Sequence, residues 1–142
     1  MADLVCSPTS IICTGSNTIS GTLADIPSSV ITFDIRGSNT ISGDIADVDT
    51  TLYNFILTGS GVTDYSGKTW HATQNYFYFL PAGGAGLSTV EVDALLIDID
   101  SDCAFSGFYK LINLTGTNAA PSGASAAARA SLIAKGVSLT TN

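Results

Sequence analysis

Basic residues are scarce in this chain: five Lys and Arg stand against twelve Asp and Glu, for a formal charge of −7. A nucleic-acid-binding domain carries a basic patch, so no nucleic-acid partner is expected, and anionic membrane surfaces should repel the chain. Long apolar runs are missing as well; none reaches the roughly 18 residues a membrane span requires. The opening MADLVCSPTSIIC lacks a basic stretch and is interrupted by Ser7, Pro8 and Ser10, which makes it a poor signal peptide. Three cysteines, Cys6, Cys13 and Cys103, leave one unpaired and are no disulfide framework. Cys13 reads as a small buried hydrophobe, with a Cys6–Cys13 bridge as the alternative. His71 is the sole histidine and stands in a loop, so it reads as a surface residue. There is no Ser/His/Asp set and no zinc-spaced cysteine pair. The glycines at 83–86 lack both a following Lys-Ser/Thr and a G-x-G-x-x-G frame. The expectation is a protein that is not an enzyme and uses no cofactor.

What the chain does have is a repeat. Of its 142 residues 45% are apolar and 12% charged, enough for one domain with a sizeable core. GSNTISGTLADIPSSVITFDIR (15–36) is followed at once by GSNTISGDIADVDTTLYNFILT (37–58), two 22-residue copies of one unit. Ile19, Leu23, Ile26, Val30, Phe33 and Ile35 are answered by Ile41, Ile45, Val48, Leu52, Phe55 and Leu57. Phe33-x-Ile35 alternates as a strand with one buried face does, and Gly-Ser-Asn after it is turn chemistry. Each unit therefore reads as a short strand, a turn and an extended return. A unit this small must stack on a neighbour to bury its apolar face.

The same register extends both ways. It places Ile11 and Cys13 inward on a first strand (10–14) and Phe77 and Phe79 inward on a fourth (75–80). Over 59–73 lies a decayed third unit, with Tyr65 and Trp70 as large core plugs. After PAGGAG (81–86), Ser88 and Glu91 form a capping box. A helix over about 89–100 follows, with Val92, Leu95, Leu96 and Ile99 on one stripe. Ile112 and Leu114 make a fifth strand. An alanine-rich helix runs to about Lys135 with Ala128 and Leu132 inward, and Val137 and Leu139 make a sixth strand. Asp98, Asp100 and Asp102 form D-x-D-x-D at a helix C-terminus. They read as a solvated acidic turn, with calcium as the alternative, although Cys103 stands where a calcium loop needs glycine.

VITFDIRGSNTISG resembles the leucine-rich repeat L-x-x-L-x-L-x-x-N-x-L. Val30, Phe33 and Ile35 match its apolar places, and Asn39 and Ile41 fall one residue later than the pattern asks. NTISGDIAD followed by an aromatic strand, with a tail like GLSTVEVDALLIDID and NAAPSGASAAARASLIAKG, is similar to repeat proteins of bacteriophages and of Bacteroidetes-type bacteria. The resemblance covers nearly the whole chain. It implies an α/β fold: a short right-handed leucine-rich-repeat-like solenoid with about six parallel strands on one face and two helices in the C-terminal half. The expected plan is a single repeat domain, 1–142, with a lead-in and first strand to 14, repeats over 15–80 and helix-bearing repeats over 81–142. The resemblance also implies a virion component, decoration or fibre protein, assembled in the host cytoplasm. The alternatives are an extracellular or cell-surface adhesin, or the subunit of an extracellular filament.

The register predicts the outward row of the strand face as Ile12, Asp34, Ile56, Tyr78, Asn113 and Ser138. Asn54, Tyr76 and Leu111 flank it on one side, and Arg36, Thr58 and Leu80 on the other. Ile12, Asp34, Arg36, Ile56, Tyr76, Tyr78, Leu80 and Leu111 form the candidate interaction surface. Tyrosine suits binding because it offers a large area with a polar tip; the competing reading is packing across neighbouring strands. The expected partner is a protein, either a second copy or a larger assembly. The first and last strands carry no charge to protect their edges.

Overall fold

A glycine opens each of these units, and the glycines set how closely the units stack. Gly37 and Gly59 have φ of +100° and +71°; a Cβ on Gly37 would lie 2.4 Å from the Gly15 carbonyl oxygen, and one on Gly59 2.2 Å from that of Gly37. Only glycine permits both the dihedral and the approach. Two residues on, Asn39 is buried and closes the turn: its Nδ2 donates to the Gly37 and Thr58 carbonyls at 3.2 and 2.7 Å, and its Oδ1 accepts from Ile41 N at 3.2 Å. Asn118 does the same work later in the chain, donating to Phe79, Leu114 and Thr115 carbonyls and accepting from Leu87 N. The intervening place, 22 residues after Asn39, is Gly61, so no continuous row of asparagines forms.

Strands follow from the alternation between these turns. The computed structural model describes residues 8–15, 19–72, 74, 76–107 and 110–142. Six strands, β1 (Ser10–Cys13), β3 (Thr32–Ile35), β5 (Asn54–Thr58), β6 (Tyr76–Leu80), β7 (Leu111–Leu114) and β8 (Ser138–Thr141), form one parallel sheet in sequence order. Two short returns, β2 (Ser20–Thr22) and β4 (Thr40–Ser42), pair in a second, parallel sheet. There Ser20 lies beside Thr40, two residues short of its repeat counterpart Ser42. Each return runs into a single 3₁₀ turn, Leu23–Asp25 and Ile45–Asp47, a feature the apolar spacing had not separated from an extended chain. Helix α1 (Thr89–Asp102) joins β6 to β7, and α2 (Ala126–Ala134) joins β7 to β8. The fold is thus mixed α/β, with a six-stranded parallel sheet and two helices.

The core is a column. Phe33 stacks on Phe55 with centroids 5.9 Å apart, and Phe55 on Phe77 at 5.0 Å. Trp70 packs edge-to-face with Phe77 at 5.3 Å, and Tyr65 stacks on Trp70 at 6.3 Å. Val92, Leu95, Leu96 and Ile99 of α1 and Leu132 of α2 complete this core. Ser88 and Glu91 make the expected capping box, and Glu91 also accepts from Tyr65 N at 3.1 Å, which ties the third unit to the helix start.

Two expectations need correction. The sixth strand is displaced by two residues: Leu139, not Val137, lies beside Ile112, and Thr140, not Ser138, lies beside Asn113. A two-residue shift leaves every side chain on its own face, so alternation cannot detect it. The acidic run is also no solvated turn. Asp98 accepts from the Tyr65 hydroxyl at 2.7 Å, Asp102 from Trp70 N at 2.8 Å, and Asp100 lies 2.9 Å from Lys135 Nζ. Lys135 Nζ donates as well to the Asp100 and Cys103 carbonyls, so it caps the negative end of α1. The possible Cys6–Cys13 bridge involves Cys6, which lies outside the described residues. Cys13 is partly buried against the core.

Candidate interaction surface

The outer face of the sheet is nearly free of charge because the strands are. Across their six sequences the one ionised residue is Asp34, and Arg36 follows β3 directly. With one residue between them they emerge on the same side, and the pair closes as a fork. Arg36 Nε donates to Asp34 Oδ1 at 2.7 Å, and an Nη donates to Oδ2 at 2.9 Å. Bidentate pairing fixes the guanidinium plane as well as its position. Asp34 is buried while Arg36 stays exposed. The hydrogen bond to Asp34 raises the Arg36 pKa above its usual value against the effect of burial, and proximity to Asp34, Tyr76 and Tyr78 adds to it.

The next two strands supply the rest. Register sets Asp34 beside Ile56 and Ile56 beside Tyr78, with Asn54 beside Tyr76 and Thr58 beside Leu80. Tyr76 and Tyr78, two apart on β6, hold their rings near-parallel with centroids 6.4 Å apart. Ile56 is only 8% exposed yet lies outside the core cluster, so it forms a covered floor on the outer face. Arg36, Ile56, Thr58, Tyr76 and Tyr78 together line a pocket of about 230 Å³. Thr58 accepts from Gly37 N at 3.0 Å, which leaves its hydroxyl proton available.

The structure therefore brings together four of the eight candidate residues, Arg36, Ile56, Tyr76 and Tyr78, with Asp34 behind them as the group that holds Arg36. Leu80 and Leu111 lie half-buried on flanking rows, and Ile12 is 64% exposed at the sheet edge. None of these three lines the pocket. Thr58, expected only as a neighbour of the row, does.

A second opening lies at the first end of the molecule and had no counterpart in the sequence reading. Ile11, Ile19, Ile26, Phe33, Ile35 and Ile41 are among the residues lining an apolar pocket of about 220 Å³. Here Ile19 and Ile26 of the first copy are only partly buried, whereas their repeat counterparts Ile41 and Val48 are buried.

His71 is exposed. Cys103 is 2% exposed; desolvation, with Asp102 nearby, pushes its thiol up to about 12. Among the described residues no group of three or more His, Cys, Asp or Glu is placed to hold a metal ion, and no helix is long and apolar enough to cross a membrane. No family model, curated protein or solved structure matches the chain.

Proposed function

We propose that this chain is a non-enzymatic interaction module, a short right-handed leucine-rich-repeat-like solenoid that assembles through its ends and binds through its strand face. The observation that carries the reading is at the ends. Among the described residues β1 and β8 each have one strand neighbour and form the two opposite edges of the sheet. The chain carries no charged side chain between Val5 and Ala24 or after Lys135, so charge does not guard those edges. The apolar pocket beside β1 adds surface that a second copy would cover. Repeat arrays are normally sealed by terminal caps with a polar outer face. A virion component, a decoration or fibre protein, is the setting that the repeat's resemblance to bacteriophage proteins favours.

Sedimentation velocity over a range of concentrations tests the assembly. An oligomer that dissociates when charge is placed on the edge, as in Ile12→Lys, supports it; a monomer at every concentration overturns it. Mass spectrometry of purified virions tests the setting, since a chain found only in a cell-surface or secreted fraction would move the reading to an adhesin or filament.

A further inference from the structure

We propose that the pocket between β3, β5 and β6 is a carbohydrate subsite that takes one neutral sugar ring. This inference rests on the reading of the strand face as a binding face and names the chemistry of its ligand.

A sugar ring has apolar C–H faces and a rim of hydroxyls, and the pocket offers the complement of each. The near-parallel rings of Tyr76 and Tyr78 line the pocket together with the covered side chain of Ile56, which gives an aromatic and aliphatic lining. Hydrogen-bonding groups surround it. Of the five guanidinium N–H groups of Arg36, two are spent on Asp34 and three remain. The Thr58 hydroxyl has its proton to give, and the two phenols of Tyr76 and Tyr78 supply a donor and an acceptor each. A few placed polar groups on a largely apolar lining are the general form of a small-ligand site.

Charge selects a neutral ligand. Asp34 compensates Arg36 within the site, and the chain as a whole carries −7. A phosphate or carboxylate would meet a guanidinium whose charge Asp34 already compensates, and a repelling field. A peptide strand has no purchase on this face, because β3, β5 and β6 each have a strand on both sides and offer no free edge.

Saturation-transfer NMR on the full chain, with the methyl glycosides of glucose, galactose, mannose and N-acetylglucosamine as probes, tests the proposal. At least one glycoside should show saturation, strongest at its ring C–H protons. Tyr78→Ala should weaken that glycoside at least tenfold at an unchanged melting temperature, and Tyr78→Phe, which keeps the ring, should weaken it less. Val90→Ser, on the exposed outside of α1, should leave it unchanged. The proposal is overturned if none of the four is saturated, if the tyrosine variants bind as the parent does, or if inorganic phosphate displaces the glycoside at equal concentration. Loss of the proposal is distinguishable from loss of the strand-face reading. If no glycoside binds but Tyr76→Ser/Tyr78→Ser abolishes a protein association without unfolding, the sugar falls and the face stands. If that double variant changes no binding at all, both fall.

Discussion

The Tyr65 hydroxyl donates to Asp98 at 2.7 Å and in return accepts from Trp70 Nε1 at 3.0 Å and Lys68 N at 3.2 Å. One oxygen thus joins the irregular third unit to α1 and keeps the indole of the buried plug satisfied. Tyr65→Phe removes that oxygen and strands all three partners. It should cost about 1–3 kcal/mol, the range for buried groups left unpaired. Denaturant unfolding would show a lower midpoint at unchanged slope; an unchanged midpoint would deny the link.

Phe55 lies between Phe33 and Phe77 and has no exposed surface. Phe55→Ala opens a cavity at the centre of the column and should cost about 3–5 kcal/mol, much of a small domain's stability. A melting temperature equal to the parent's would contradict the packing.

Gly59→Ala should be costly without touching the core. The added methyl would meet the Gly37 carbonyl oxygen, in a backbone conformation that L side chains avoid. A loss of about 3 kcal/mol is expected from strain plus clash. Gly123→Ala, where nothing lies within 4 Å of the new Cβ, is the control and should be nearly neutral.

Stability should fall with acid. Burial works against ionisation at Asp44, Glu91 and Asp93, yet hydrogen bonds outweigh it and hold all three below the usual carboxylate range. Asp93 is the strongest case: buried on α1, it accepts from Ser122 N at 3.0 Å and from the Ser122 and Ser125 hydroxyls at 2.5 Å. A carboxylate with a depressed folded pKa binds protons more readily when unfolded. Its contribution is complete above about pH 5 and disappears as the pH drops through the folded value. The melting temperature should therefore decline below about pH 5, and Asp93→Asn should flatten that decline. A profile as steep in the variant would remove Asp93 from the account.

Cys103 should be inert. A thiol buried and pushed up to about 12 carries almost no thiolate near neutral pH. Iodoacetamide followed by peptide mass mapping should leave Cys103 unlabelled until denaturant is added. Labelling of the folded chain would show that the α1 C-terminus opens.

Much of this fold was legible because the repeat reports its own register. Two copies fix which residues share a place, and Phe33, Phe55 and Phe77 could be stacked by counting. Counting fails where the unit loses its landmarks. Val137 and Leu139 were matched to Ile112 and Leu114 by alternation alone, and alternation is blind to a shift of two. The acidic run was misread for a different reason. Asp98 and Asp102 look solvated in sequence because their partners, Tyr65 and Trp70, lie some thirty residues back in a unit that no longer resembles its neighbours. At the candidate site the row of Asp34, Ile56 and Tyr78 followed from the register. The fork between Asp34 and Arg36 and the covering of Ile56 did not, since they depend on which way side chains lean within one face.

The sheet order also has a mechanical meaning. With β1 and β8 at opposite edges, a pull applied to the two edge strands acts across the ladders rather than along them. Hydrogen bonds loaded this way open in sequence, one strand peeling from the next, and the resistance of the whole is that of its weakest neighbouring pair. A tether carried by this fold would therefore yield one strand at a time.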